Sequence, residues 1–184
     1  MNLVDRAKGI LTNPRQEWTA IDAEPLDVTE LLTKYVLPLA AIGAIASFIG
    51  LTVFGFGGLF RVGVGTALSM AITSLVFSVL GVFVTAWVAN ALAPTFGATP
   101  SMPQAIKLCA YSMTAAWIAG IFGIIPQLAI LAAVGGLYSL YTMYLGVPVM
   151  MKAPADKVLT YTIVIIVATI VVYLLAGVLT RAIL

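Results

Sequence analysis

The chain has no histidine, and only one of its 184 residues is cysteine. Without histidine there can be no Ser–His or Cys–His nucleophile pair, no helical zinc motif, no histidine-ligated haem and no histidine proton relay. A lone cysteine excludes an intramolecular disulfide and a cysteine metal cage; Cys109 reads as a small buried side chain. Charge is scarce as well. Asp, Glu, Lys and Arg make up 9% of the residues, against about 25% in ordinary soluble domains. Six of the seven acids (Asp5, Glu17, Asp22, Glu24, Asp27, Glu30) fall in the first thirty residues, and the seventh, Asp156, sits in a loop. No carboxylate therefore lies in an apolar stretch. That argues against paired-carboxylate catalysis within a membrane and against the acidic sites of ion-coupled transporters and proton pumps. The net charge of +2 gives no footprint for nucleic acid. GFGGLFRVGVG (55–65) is glycine-rich but lacks the Lys-Ser/Thr of a phosphate loop, and turn chemistry explains it. Methionine sulfur and backbone oxygen are the only metal ligands left; the methionines, Met70, Met113, Met143 and Met150 among them, suit packing better than copper(I). The expectation is no enzyme, no metal and no cofactor.

What the chain does have is apolar length. Hydrophobic residues are 62% of it, and after Lys34 it runs uncharged over 35–60, 62–106, 108–151 and 158–180. One bilayer crossing needs about 20 apolar residues, so each of the two longer runs holds two. The predicted fold is all-α: a polytopic bundle with spans at about 34–55, 66–92, 104–123, 126–147 and 158–181. A polar segment, 1–33, precedes a transmembrane domain, 34–184. No short apolar core followed by a small-residue cleavage site is visible, so the first span is expected to be an uncleaved anchor. Pro38 predicts a kink or a late start in it, and PTFGATPSMP (94–103) splits the second run.

Residues 2–12 read as a short amphipathic helix, with Leu3, Val4, Ala7, Ile10 and Leu11 on one arc. Arg6 and Lys8 flank that arc, where they would reach lipid phosphates unless the helix packs on the protein. Asn13-Pro14 ends it and opens a second helix with Gln16 at the capping-box position, turning Trp18 and Ile21 toward membrane or protein. Asp27 and Glu30 form a second capping box. Phe56, Phe60 and Arg61 suit the opposite interface. With the N-terminus in the cytoplasm, the inside segments carry Arg6, Lys8, Arg15, Lys34, Lys107, Lys152 and Lys157, and the outside only Arg61 and Arg181. This bias places the C-terminus outside after five spans.

Lys107 lies one turn inside the third span. It reads either as snorkelling to headgroups or as contacting an anionic lipid or a polar cavity with Tyr111, four residues on. Tyr138, Tyr141 and Tyr144 recur every three residues and read as an aromatic belt or interhelix hydrogen bonds, with Tyr138 and Tyr141 as candidate binding residues. Small residues four apart, Ala115/Ala119 and Ala116/Gly120 facing Ala129/Ala133 and Ala132/Gly136, predict a tight antiparallel hairpin of the third and fourth spans; the same surfaces would serve a homo-oligomer.

QAIKLCAYSMTAAWIAGIFGIIP (104–126) and LYSLYTMYLGVPVMMKAPADKVLTY (137–161), with NPRQEWTAI (13–21), resemble the bacterial branch of the Yip family, small membrane proteins named for Ypt/Rab interaction. The resemblance rests on Ala110-Tyr111, Pro126, Leu137-Tyr138, Tyr141, the Gly146–Pro148 exit and Lys152. It implies a bacterial inner-membrane protein with five spans, a cytoplasmic N-terminus and an outward C-terminus. Eukaryotic members act in vesicle traffic through small GTPases and membrane shaping; this chain lacks their long N-terminal region. The leading expectation is a non-enzymatic protein that organises membrane or scaffolds partners, which would be the bilayer, anionic lipids, other membrane proteins or a second copy. The alternative is a small channel or transporter for an ion, lipid or small solute. An intramembrane enzyme would need a reactive centre that the sequence does not show; activity lost on Cys109→Ala would revive that reading.

Overall fold

A computed structural model describes residues 2–55 and 61–183, without the side chains of 126, 129 and 176–183. Phe56, Phe60 and the Arg181 side chain lie outside the described residues. Two short helices come first, α1 (Leu3–Thr12) and α2 (Pro14–Ala23). Five long ones follow: α3 (Val28–Val53), α4 (Val64–Phe96), α5 (Met102–Ile124), α6 (Ala129–Met150) and α7 (Val158–Ile183). All five long helices are apolar and long enough to cross a membrane, and no strand occurs among the described residues. The all-α transmembrane bundle expected from the sequence is the fold.

Local chemistry sets the irregularities. Pro38 has no N–H and its ring crowds the carbonyl four residues back, so the preceding turn widens. There, over Leu32–Val36, the Leu37 N–H reaches back five residues to the Leu32 carbonyl. Asp27 caps α3 as expected, accepting the Glu30 N–H at 2.9 Å. The first box is different: Asn13 does not cap α2 but donates its amide to the Gln16 side chain at 2.6 Å, and Pro14 alone starts the helix. α5 breaks at Met113, where the Thr114 hydroxyl takes the Tyr111 carbonyl at 2.6 Å. α6 runs on through Pro148 to Met150, past the expected end at 147.

α5 is the centre of the bundle. It is 67% buried over its apolar stretch, and each of the other long helices is a third buried or less. α3, α4 and α6 surround it, and α7 packs against α4 and α6. Small residues set the close crossings, though not the expected set. Gly135 of α6 faces Ala115 and Ala119 of α5, where a Cβ would collide with the Ala119 side chain. Ser139 accepts the Ala116 N–H at 2.9 Å. Gly136 has nothing within 4 Å, Ala133 is exposed, and Gly120 meets Gly43 of α3 rather than α6. The α5–α6 hairpin is tight, but its contact stripe is rotated by one residue on α6.

Large, fully buried side chains gather at the end that carries α1 and α2: Trp18, Ile10, Ile21, Tyr35, Leu108, Val147, Met150, Met151 and Tyr161. Outward from there the long helices expose apolar faces, such as Ile130, Val134 and Leu137. At about 1.5 Å per residue the 33 residues of α4 span about 50 Å, against about 30 Å of hydrocarbon. The two short helices pack on α5 and α6 at this end.

Candidate functional site

α1 and α2 form a helical hairpin clamped to the bundle by polar groups whose partners are far apart in sequence. Arg6 is 8% exposed. It donates to Glu17 at 2.6 Å and also to Glu24, and its guanidinium lies 5.6 Å over the Tyr111 ring. Burial pulls this guanidinium down, but the hydrogen bond and charge of Glu24 and the charge of Glu17 outweigh it and hold Arg6 above its ordinary value. Gly9 makes room for the Glu17 carboxylate, with which a Cβ would collide. Tyr111 packs edge-on to Tyr35 at 4.8 Å, and the Tyr35 hydroxyl shares a hydrogen bond of 2.7 Å with Thr114. A polar chain thus runs from α1 into the centre of the bundle.

Lys107 is the second element of the clamp. It is buried, and its ammonium donates to the backbone carbonyls of Ile21 at 2.8 Å, Glu24 at 2.7 Å and Asp22 at 3.4 Å. These carbonyls lie at the end of α2, where Ile21 also accepts the Glu24 N–H at 3.3 Å, and a cation suits that end of the helix dipole. Neither snorkelling nor a free polar cavity describes it: the cleft beside it, lined by Glu24, Asp27, Glu30 and Tyr111, holds about 60 Å³. Asp22 completes the junction, accepting from Gln104 of α5 at 2.9 Å and from Lys152 at 2.6 Å. Lys152 sits in the left-handed region, with φ at 51°.

Along α6, Trp18 donates its indole N–H to the Thr142 carbonyl at 3.0 Å, with its ring against Gly146. Tyr138 donates to the Leu11 carbonyl at 2.8 Å. Of the two placements the sequence leaves open, membrane or protein, Trp18 and Arg6 take the inward one, because the groove beside α5 and α6 offers them acceptors and apolar walls. Lys8 stays exposed. Tyr141 is exposed beside Tyr138, ring centroids 5.7 Å apart, and takes no part in the clamp. The structure therefore brings Arg6, Trp18, Lys107, Tyr111 and Tyr138 together and leaves Lys8 and Tyr141 outside. Glu17, Asp22, Glu24, Tyr35 and Gln104 belong to the site without having been singled out. Their signal was the separation of sign, with acids crowded before residue 31 and lysines scattered at 107 and 152.

An apolar cavity of about 290 Å³ lies between α4, α5, α6 and α7, bordered by Ser78, Cys109, Met143, Thr169 and Tyr173. Among the described residues no three His, Cys, Asp or Glu side chains are grouped to hold a metal ion. The polar groups of the clamp bind backbone and one another, an arrangement suited to holding helices in register.

Over 161 residues the chain is 27% identical to the inner membrane protein YohC of Escherichia coli strain K12, covering 84% of this chain and 83% of that protein. YohC of E. coli O6:H1 strain CFT073 matches to the same extent. No solved structure matches. The Yip1 domain model matches residues 8–177, from α1 to α7, so the chain belongs to the Yip1 domain family of membrane proteins.

Proposed function

We propose that this protein is a non-enzymatic organiser of the inner membrane, holding lipid or protein partners at the end that carries the clamped hairpin. The inner-membrane placement follows its relative YohC. One observation carries the reading: Lys107, the cation of α5, is fastened to three α2 carbonyls, with only about 60 Å³ beside it. A solute path would need this cation free, or a cavity around it larger than one that takes a water or two. Instead it fixes two extra helices to one end of the bundle, so more protein cross-section lies at one leaflet than at the other. Such asymmetry suits a protein that orders its surroundings. The lysine and arginine bias supports placing that end in the cytoplasm, with the polar segment 1–33 inside and the C-terminus outside. A reporter fused after Leu184 should be active only on the outer side.

Extraction from native membranes into polymer-bounded discs tests the function. The expected result is a retained partner, a preferred lipid or self-association that diminishes in Lys107→Met; recovery of none of the three in the wild type defeats the proposal. The apolar cavity between α4 and α7 favours a second reading, passage of a lipid or an apolar solute. Flux in proteoliposomes, abolished by Thr169→Phe, which would fill that cavity, would establish that reading in place of the first.

A further inference from the structure

We propose that the groove between α2, the end of α6 and the start of α7 holds an anionic phospholipid, with its phosphate at Arg15 and its glycerol and upper acyl region along Leu145, Val149 and Val158. The groove has a volume of about 370 Å³, and Arg15 and Tyr144 line it together with these apolar side chains. The cations at this end differ in what holds them. Arg6 pairs with Glu17 and Glu24, Lys34 with Glu30 and Lys152 with Asp22, while Lys107 is held by carbonyls; Lys8 and Lys157 are exposed but do not line the groove. Arg15 is exposed and has no ion-pair partner among the described residues, yet it stands at a groove whose remaining walls are mostly apolar. A planar guanidinium matches a phosphate by two parallel hydrogen bonds, and the apolar walls match the chain attached to it.

Depth supports the same occupant. Tyr144, Tyr141 and Trp87 are exposed aromatic side chains on the long helices near this end, and exposed tyrosine and tryptophan mark the level of the headgroups. Arg15 shares the groove with Tyr144 and so sits at that level. Asp156 follows Ala155, which lines the groove, and it disfavours a second negative charge there; the headgroup expected is therefore singly charged, as in phosphatidylglycerol. The proposal deepens the membrane-organising reading by naming a lipid class, and it rests on that reading for its purpose but not for its geometry.

The test is native mass spectrometry of the full-length protein in detergent, titrated with phosphatidylglycerol and phosphatidylcholine of identical chains. The wild type should hold one phosphatidylglycerol with a preference of about tenfold, the value of one charge-assisted contact. Arg15→Gln should abolish the preference and leave weak binding of both lipids. Ala155→Phe, which fills the groove from an exposed position, should remove both. Arg61→Gln, an exposed cation outside the groove, should change neither. Three results would overturn the proposal: an undiminished preference in Arg15→Gln, an equal loss in Arg61→Gln, or displacement of the lipid by millimolar inorganic phosphate, which would identify a simple anion site. Any of these would leave the membrane-organising reading standing if another lipid or a protein partner is still recovered.

Discussion

Replacing Lys107 with methionine keeps the stem of the side chain and removes the ammonium, which makes it the cleanest perturbation of the clamp. The wild-type ammonium holds two short hydrogen bonds, 2.7 Å to Glu24 and 2.8 Å to Ile21, and a longer one of 3.4 Å to Asp22. A hydrogen bond to a charged group is worth about 1.5–3 kcal/mol net, so the two short contacts hold the end of α2 by about 3–6 kcal/mol. The adjoining cleft of about 60 Å³ admits water, and water bonded to the abandoned carbonyls recovers part of this. The remaining cost is about 2–3 kcal/mol. That equals a rise of about 30–150-fold in the open population of α2. Trp18, Tyr138 and Arg6 still attach the hairpin, so it opens more often without leaving. Hydrogen exchange of peptides covering residues 14–24, measured in detergent, reads this factor directly. Exchange should accelerate there while the buried stretch of α7 around Ile165 stays protected. Unchanged exchange over 14–24 would refute the role assigned to Lys107, and an equal acceleration across all helices would show general unfolding instead.

Gly135 and Gly136 should respond to alanine in opposite directions. A Cβ on Gly135 collides with Ala119, costing about 1–3 kcal/mol by overpacking. A Cβ on Gly136 meets nothing within 4 Å and should stabilise α6 by about 0.5–1 kcal/mol. Thermal unfolding in detergent should show Tm falling in the first variant and rising in the second. Gly146→Ala places a Cβ 2.6 Å from both Leu108 and Trp18 and should expel the indole; proteolysis between α2 and α3 should then quicken without loss of the bundle. Arg6 sits above its ordinary value, so its stabilising charge is fully present below the unfolded value and is lost only as pH rises through the still higher folded one. Exchange protection of α1 should therefore hold from neutral into mildly alkaline buffer, and a loss of protection there, absent in Arg6→Met, would contradict the pairing with Glu17 and Glu24.

The long helices were legible because a bilayer demands one thing of sequence, apolar length, and each run met it. The disturbance at Pro38, a widened turn where a kink or late start is expected, and the cap at Asp27 were legible because they depend on neighbours a few residues away. The clamp was not. An arginine on a short amphipathic helix looks the same whether it faces a lipid phosphate or Glu17, and the difference lies in a groove formed by residues more than a hundred positions later. Lys107 misled for a related reason: one turn inside a span, snorkelling is the economical expectation, and only the arrival of α2 makes three backbone carbonyls available. Gly135 was missed because the four-residue pattern of Ala132 and Gly136 was equally good on paper, and a one-residue rotation about α6 decides which stripe faces Ala115 and Ala119.

The same long range says how the hairpin must form. Helices of ten residues, the length of both α1 and α2, are marginal in water on their own. Their fastening points are Gln104, Lys107, Tyr138, Thr142 and Lys152, and the Asp22–Lys152 pair alone closes a separation of 130 residues. The first segment of the chain can therefore become ordered only after α5 and α6 have packed. Because every fastening point lies on or just beyond those two helices, any ligand or neighbour that shifts α5 against α6 acts on the hairpin as well. Trp18 and Tyr138 bind along one face of α6 while Lys107 and Gln104 bind from α5, so a relative slide of about one helical turn, roughly 5 Å, would satisfy one set only by breaking the other. The hairpin is thus coupled to the packing of the bundle, and a partner that grips it would feel the state of the membrane-spanning core.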